Sequence, residues 1–194
     1  MNKDLWIYEE KSFILNEREI NICREFANQS AGSSLDHYKK RGQSNPEKIK
    51  EDIFIGKTGE LVVHKLYQEQ DFELSLPDFN IYTKKKKSFA ADLIGPKRNI
   101  HVKTQSMDSI NKYGKSWILQ KEDKIFKKYD EFDRIVLCMS NGETVTILAI
   151  LAFSDLIKYK CIEKPKLDWL AKTKVAIYLD TIKKKVPEKN LWDL

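Results

Sequence analysis

Apolar residues recur along this chain with two different periods, and the periods divide it into elements. Ile49, Ile53, Leu61, Val62 and Leu66 return near helical spacing, which predicts a helix over 47–69. Pro46 suits its start. Gly56 and Gly59 weaken helix propensity at mid-length and would let another backbone or a ligand approach closely there. Upstream, residues 12–30 scatter Ile14, Ile20, Ile22 and Phe26 among charges, enough for a helix over part of the stretch. The polar run AGSSLDHYKKRGQSNPEK reads as a loop or short helix carrying positive charge. Downstream the period shortens. FELSL (72–76), SFAADLIG (88–95), NIHVKTQS (99–106) and SWILQ (116–120) are strand candidates. A charged stretch, 121–132, reads as helical. RIVLCMS (134–140) and TVTILAILAF (144–153) are strand-like runs joined by an SNGE turn. Residues 154–171 are helical in part, and AIYLDTI (176–182) predicts a last strand.

This order gives an α/β fold with a single mixed, mainly antiparallel central sheet flanked by helices. It lacks strict βαβα alternation, and neither GxGxxG nor GxxxxGK[ST] occurs, which argues against a dinucleotide or P-loop binder. A length of 194 residues suits one domain. Within it, 1–46 is an N-terminal elaboration, 47–153 the core and 154–194 a C-terminal elaboration.

Charge narrows the partners. With 35 Lys and Arg against 29 Asp and Glu, the net charge is +6, which favours phosphates or anionic surfaces, although a lysine-rich solvated surface has the same balance. Cys23, Cys138 and Cys161 form no CxxC, and Cys138 sits in an apolar run, as a reduced buried thiol would. The charged N-terminus has no apolar signal core, and no segment is apolar for long enough to span a membrane. A cytoplasmic location is the expectation.

Chemistry concentrates in FAADLIGPKRNIHVKTQ (89–105). A hairpin turning on Pro96 to Asn99 sets Asp92 opposite Lys103 and Ile94 opposite His101. Side chains alternate across a strand, so Asp92, His101, Lys103 and Gln105 share one face while Leu93, Ile100 and Val102 point to a core. A cross-strand Asp–Lys pair is also what a solvated surface shows, where it is worth roughly 0–1 kcal/mol.

The wider pattern decides the reading. GKTGELVVHKLY (56–67) places Glu60 on the helix before the sheet, followed by D-x(10)-K on two strands and by Thr104 and Gln105. This resembles the PD-(D/E)XK, or restriction-endonuclease-like, nucleases, whose core is a helix, a three-stranded antiparallel run, a helix and a further strand. The resemblance covers about the middle half of the chain. It implies a metal-dependent DNA endonuclease, foremost a type II restriction enzyme acting as a homodimer on double-stranded DNA. A Holliday-junction resolvase or phage-type nuclease shares the core. The implied cofactor is Mg2+ or Mn2+. Asp92 would be the central metal carboxylate, and Glu60 would bind metal directly or through water. Lys103 would activate the attacking water, and Gln105 would support the site.

One position departs from the family pattern. Where the family has an acid two residues before the lysine, this chain has His101. Magnesium prefers oxygen ligands. So His101 binds a softer ion such as manganese, or contacts phosphate or water, or another carboxylate (Glu60, or Asp78 in LPDF) fills its place. A site that binds DNA without cutting is the remaining possibility. Lys84, Lys85, Lys86, Lys87, Lys97 and Arg98, with Lys39, Lys40 and Arg41, are candidate phosphate contacts, as solvated loops also are. His37 belongs to that basic run. His64 shares the Glu60 face. Trp117 and Phe126 read as core, and Tyr113 as a candidate base-stacking residue. Leu191 and Trp192 are apolar enough to dock on the body or a second subunit.

Overall fold

The structure, a computed structural model, describes residues 10–40, 42–82 and 91–187, without the side chains of 33–37 and 40. His37, Lys40 as a side chain, Arg41, Lys84 to Lys87, Leu191 and Trp192 lie outside the described residues. The architecture is mixed α/β. A five-stranded sheet runs in the order β1 (Lys11–Ile14), β6 (Thr144–Ala152), β5 (Arg134–Ser140), β3 (Asn99–Ser106), β2 (Leu93–Ile94). All of its pairings are antiparallel except β3 with β5. A parallel pair needs a crossover. Here residues 107–133 supply it, carrying α3 (Met107–Tyr113) and β4 (Ser116–Gln120).

Both faces of this sheet are covered. On one lies α2 (Pro46–Glu69), whose Val62, Val63, Leu66 and Tyr67 pack with Leu93, Ile100, Val102, Val136 and Ile147. On the other lies a three-stranded sheet, β4–β8 (Lys174–Tyr178)–β7 (Ile162–Glu163), with α4 (Phe153–Lys158) and α5 (Leu179–Lys185). Trp117, Leu119, Ile177 and Ile182 join Ile135, Leu137 and Leu148 there. Coverage on both sides is why β5 and β6 are apolar almost throughout instead of alternating. Trp117 is core, its Nε1 donating to the Cys138 carbonyl at 2.9 Å, and Phe126 stacks edge-on against Phe153. All three cysteines are buried and unpaired.

Several expectations are corrected. Residues 11–14 form an edge strand, and the helix α1 begins only at Glu17 and runs on to Lys40 into the stretch read as a loop or short helix. Its start is a reciprocal cap. Asn16 Oδ1 accepts from Glu19 N at 3.0 Å, and Asn16 N donates back to Glu19 Oε2 at 2.8 Å. The charged stretch 121–132 holds only a 3-10 turn, Lys124–Phe126. Asp123, Asp130 and Asp133 accept from nearby backbone N–H groups, which competes with helix formation. FELSL forms no strand; it is held to β2 by Ser75 N donating to the Ile94 carbonyl at 2.7 Å and by Ile94 N donating to Ser75 Oγ at 2.9 Å. SWILQ is a strand of the second sheet, not the first. AIYLDTI leaves the strand at Tyr178 and continues as α5. Among the described residues, no helix is long and apolar enough to cross a membrane.

Candidate functional site

The candidate residues meet at an open stretch of the β3 edge. β2 pairs with β3 only through Leu93–Ile100 and Ile94–Asn99. The turn is Gly95–Arg98, closed by Gly95 N donating to the Arg98 carbonyl at 3.0 Å. The expected pairing of Asp92 with Lys103 is therefore displaced by two residues. Pro96 fits the second position of a turn, not the first, and this pulls the hairpin tighter than a four-residue loop. A two-residue slip keeps every side chain on its face. Leu93, Ile100 and Val102 accordingly remain in the core beside α2.

Asp92 stands just before β2, where the chain bends away from the sheet. Its Oδ2 accepts from Val102 N at 2.7 Å, so the carboxylate takes the place of a strand partner at the β3 edge. His101 and Lys103 flank that contact on β3, both half-buried.

Glu60, on α2, lies near enough to feel the charges of Asp92 and Lys103. Its helix lies unusually close to β3, because a Cβ at Gly59 would sit 1.8 Å from Thr104 Oγ1 and 3.0 Å from Thr104 Cβ. Burial, then repulsion from Asp92, pushes the Glu60 carboxyl up to about 7, against the pull of Lys57 and Lys103. Burial also lowers His101 below its ordinary value, with Asp92 opposing and Lys103 assisting. Glu60, Asp92, His101 and Lys103 thus form one electrostatic cluster.

Sequence reasoning overlooks Lys57. Its ammonium donates to Glu60 Oε2, and the two side chains are only 12% and 13% exposed. The signal available was the i, i+3 spacing, which places both on one helix face. Two rings close over the ammonium. Phe26 from α1 has its centroid 5.0 Å away and Phe79 has its own 5.6 Å away.

Other candidates separate from the cluster. Gln105 is buried and tied to the crossover. Its Oε1 accepts from Ser116 N at 2.8 Å, and its Nε2 donates to the Gly114 carbonyl at 3.0 Å and to Ser109 Oγ. Arg98, half-buried, lies over the Phe72 ring at 5.1 Å with Nη1 buried. Lys97 on the turn and Lys39 on α1 are exposed. His64 Nδ1 meets the Ser75 carbonyl at 3.1 Å and anchors the 72–76 segment. Asp78 lies within the field of Lys57. Burial works upward on its carboxyl, but hydrogen bonds from Asn80 and Tyr82 hold it below the usual value. Its oxygen Oδ1 accepts from Asn80 N and Nδ2 at 3.0 and 2.8 Å, leaving Asp92 as the freer carboxylate beside Lys103.

Among the described residues, no three His, Cys, Asp or Glu side chains are grouped to hold a metal. Glu60 and Asp92 are the two carboxylates that could offer oxygens to a magnesium-like ion, which keeps several waters and takes few protein ligands.

The buried carboxyl makes stability depend on pH. Glu60 titrates near 4.5 unfolded and near 7 folded. The folded chain holds the extra proton in that window, so Glu60 makes stability fall as pH rises through it. His101 has a lowered pKa and acts in the opposite sense, only below its unfolded value of 6.5. Urea unfolding of wild type and Glu60→Gln at pH 5 and pH 8 separates the two, since His101 is common to both. The variant is expected to lose a decline on the order of 3 kcal/mol. Equal slopes would show that Glu60 carries no such proton.

Comparison with known proteins finds no matching family model, no matching curated protein and no matching solved structure.

Proposed function

We propose that this chain is a metal-dependent DNA endonuclease with a restriction-endonuclease-like core, foremost a type II restriction enzyme working as a homodimer. The observation that carries the reading is the Asp92 carboxylate seated on the β3 edge at Val102 N, between His101 and Lys103, with Glu60 of α2 within the field of Asp92 and Lys103. Support also comes from the order of elements, α2, β2, β3, α3, β4, β5. This resembles the helix, antiparallel run, helix and further strand of the nuclease core, with β4 of the second sheet inserted before β5 and the 72–76 segment forming no strand.

In this reading Asp92 and Glu60 hold a divalent cation, which when bound supplies a hydroxide-like water and charge neutralisation. Asp92 is kept in place by the Val102 N–H. Lys103 brings an ammonium beside the same carboxylates, where a scissile phosphate gathers negative charge in the transition state. His101, held largely neutral by burial, serves as a hydrogen-bonding partner for water or phosphate rather than as a third hard ligand. Lys97 and Lys39 extend a basic surface for the phosphate backbone.

A second reading, a DNA-binding protein with a disabled site, draws on His101 and on the ammonium already seated at Glu60. Incubation with plasmid, phage DNA and four-way junctions, with and without Mg2+ or Mn2+, distinguishes the two. Discrete metal-dependent fragments are expected. Preferential junction cutting would indicate a resolvase. Binding without cutting would select the disabled site, and neither binding nor cutting would remove both readings.

A further inference from the structure

We propose that Lys57 is an internal counter-cation, seated at Glu60 in the place of a divalent ion, that holds down the metal affinity of the site. The proposal rests on the nuclease reading above and adds a form of regulation to it. Surface i, i+3 ion pairs are solvated and weak. This one is built differently, from parts of three segments. The carboxylate comes from α2, one ring from α1 and the other from the stretch after Pro77. Aromatic faces attract a desolvated cation through their quadrupoles. Phe26 and Phe79 therefore favour an ammonium at this point, and they offer nothing to a hydrated divalent ion.

Charge balance points the same way. Glu60 and Asp92 carry two negative charges, and Lys57 and Lys103 return two positive ones. Asp78 adds a third negative charge within the field of Lys57, since the neutral Asn80 that bonds it cancels none. Lys57 thus offsets part of the attraction that these carboxylates exert on a cation. An ion that bonds the Glu60 carboxylate meets the repulsion of the ammonium that donates to its Oε2. Removing one positive charge so near a divalent ion strengthens binding by at least about tenfold at protein-like dielectric.

The test measures metal binding directly. Mn2+ is titrated into wild type, Lys57→Met and the double variant Lys57→Met/Glu60→Gln at pH 8, with free Mn2+ followed by electron paramagnetic resonance. Methionine keeps the ring contacts and removes the charge. Lys57→Gln repeats the measurement should the methionine variant fail to fold by circular dichroism. The uncharged variants are expected to bind Mn2+ at least about tenfold more tightly than wild type, and the gain should vanish in the double variant. Equal or weaker binding by the uncharged variants overturns the proposal, as does a gain that survives Glu60→Gln. If wild type still cuts plasmid with Mg2+ in those cases, the nuclease reading stands without it. Neither bound Mn2+ nor plasmid cutting removes the nuclease reading and this proposal together.

Discussion

Replacing Asp92 with asparagine is expected to lower metal-dependent plasmid cleavage by about a thousandfold and to leave the fold intact. The carboxylate has two separable tasks. As a hydrogen-bond acceptor, it closes the β3 edge through Val102 N at 2.7 Å. Asparagine keeps an oxygen for that bond, so the melting temperature should hardly move. As a charge, Asp92 is the partner that Glu60 feels most after burial itself. Asparagine removes that charge, and with it the cation ligation and transition-state stabilisation that the proposed nuclease function assigns to Asp92. Metal polarisation contributes several kcal/mol, and a loss of about 4 kcal/mol corresponds to about a thousandfold in rate. An independent sign accompanies the loss. Without Asp92 repulsion, the Glu60 carboxyl should titrate lower, and the decline of stability between pH 4.5 and 7 should narrow. Full cleavage by Asp92→Asn would overturn the assignment. Lost cleavage with an unchanged stability slope would mean that the two carboxylates do not face each other.

How legible this site was in the sequence depends on the distance over which each signal acts. β5 and β6 are nearly continuous apolar runs because both faces are covered, and such runs are visible in any window. The helix over 46–69 was visible from its period and Pro46. Asn45 completes the start by accepting from Glu47 N and Lys48 N. The hairpin was legible in its faces but not in its register. Parity survives a slip of two, so the core and polar sets were right while the partner of Asp92 was wrong. Local polar competition was the weaker signal. The Asn16–Glu19 cap and the aspartates of 121–133 lie in plain view, yet they act through backbone bonds that a hydrophobic period does not register. Gln105 shows the limit. Its type and spacing suit a site, but its partners, Ser116 N and the Gly114 carbonyl, arrive by a turn that no periodicity announces. The rings over Lys57 likewise come from two segments distant in sequence.

The two glycines of GKTGE provide the sharpest structural test, since the same substitution should have opposite effects three residues apart. Alanine at Gly56 meets nothing within 4 Å, so it should stabilise the helix by about 0.5–1 kcal/mol through propensity alone. Alanine at Gly59 has the same propensity gain but no room. Its Cβ would lie 1.8 Å from Thr104 Oγ1, 3.0 Å from Thr104 Cβ and 3.3 Å from Thr104 Cγ2. Rotating Thr104 only exchanges one atom for another, and its Oγ1 is already buried without a partner. The helix must therefore move off β3, loosening Val62 and Val63 against Val102. Overpacking typically costs about 1–3 kcal/mol and sometimes more. After the propensity gain, a net loss of about 2 kcal/mol is expected for Gly59→Ala in urea unfolding. Thr104→Ala should recover much of it in the double variant, giving a coupling of about 1 kcal/mol or more. Because Glu60 is the next residue, the same displacement draws its carboxylate away from Asp92. Gly59→Ala should thus depress cleavage more than its stability loss explains, and Thr104→Ala should restore both together. Additive effects of the two substitutions would show that the close approach at Gly59 does not set the position of Glu60.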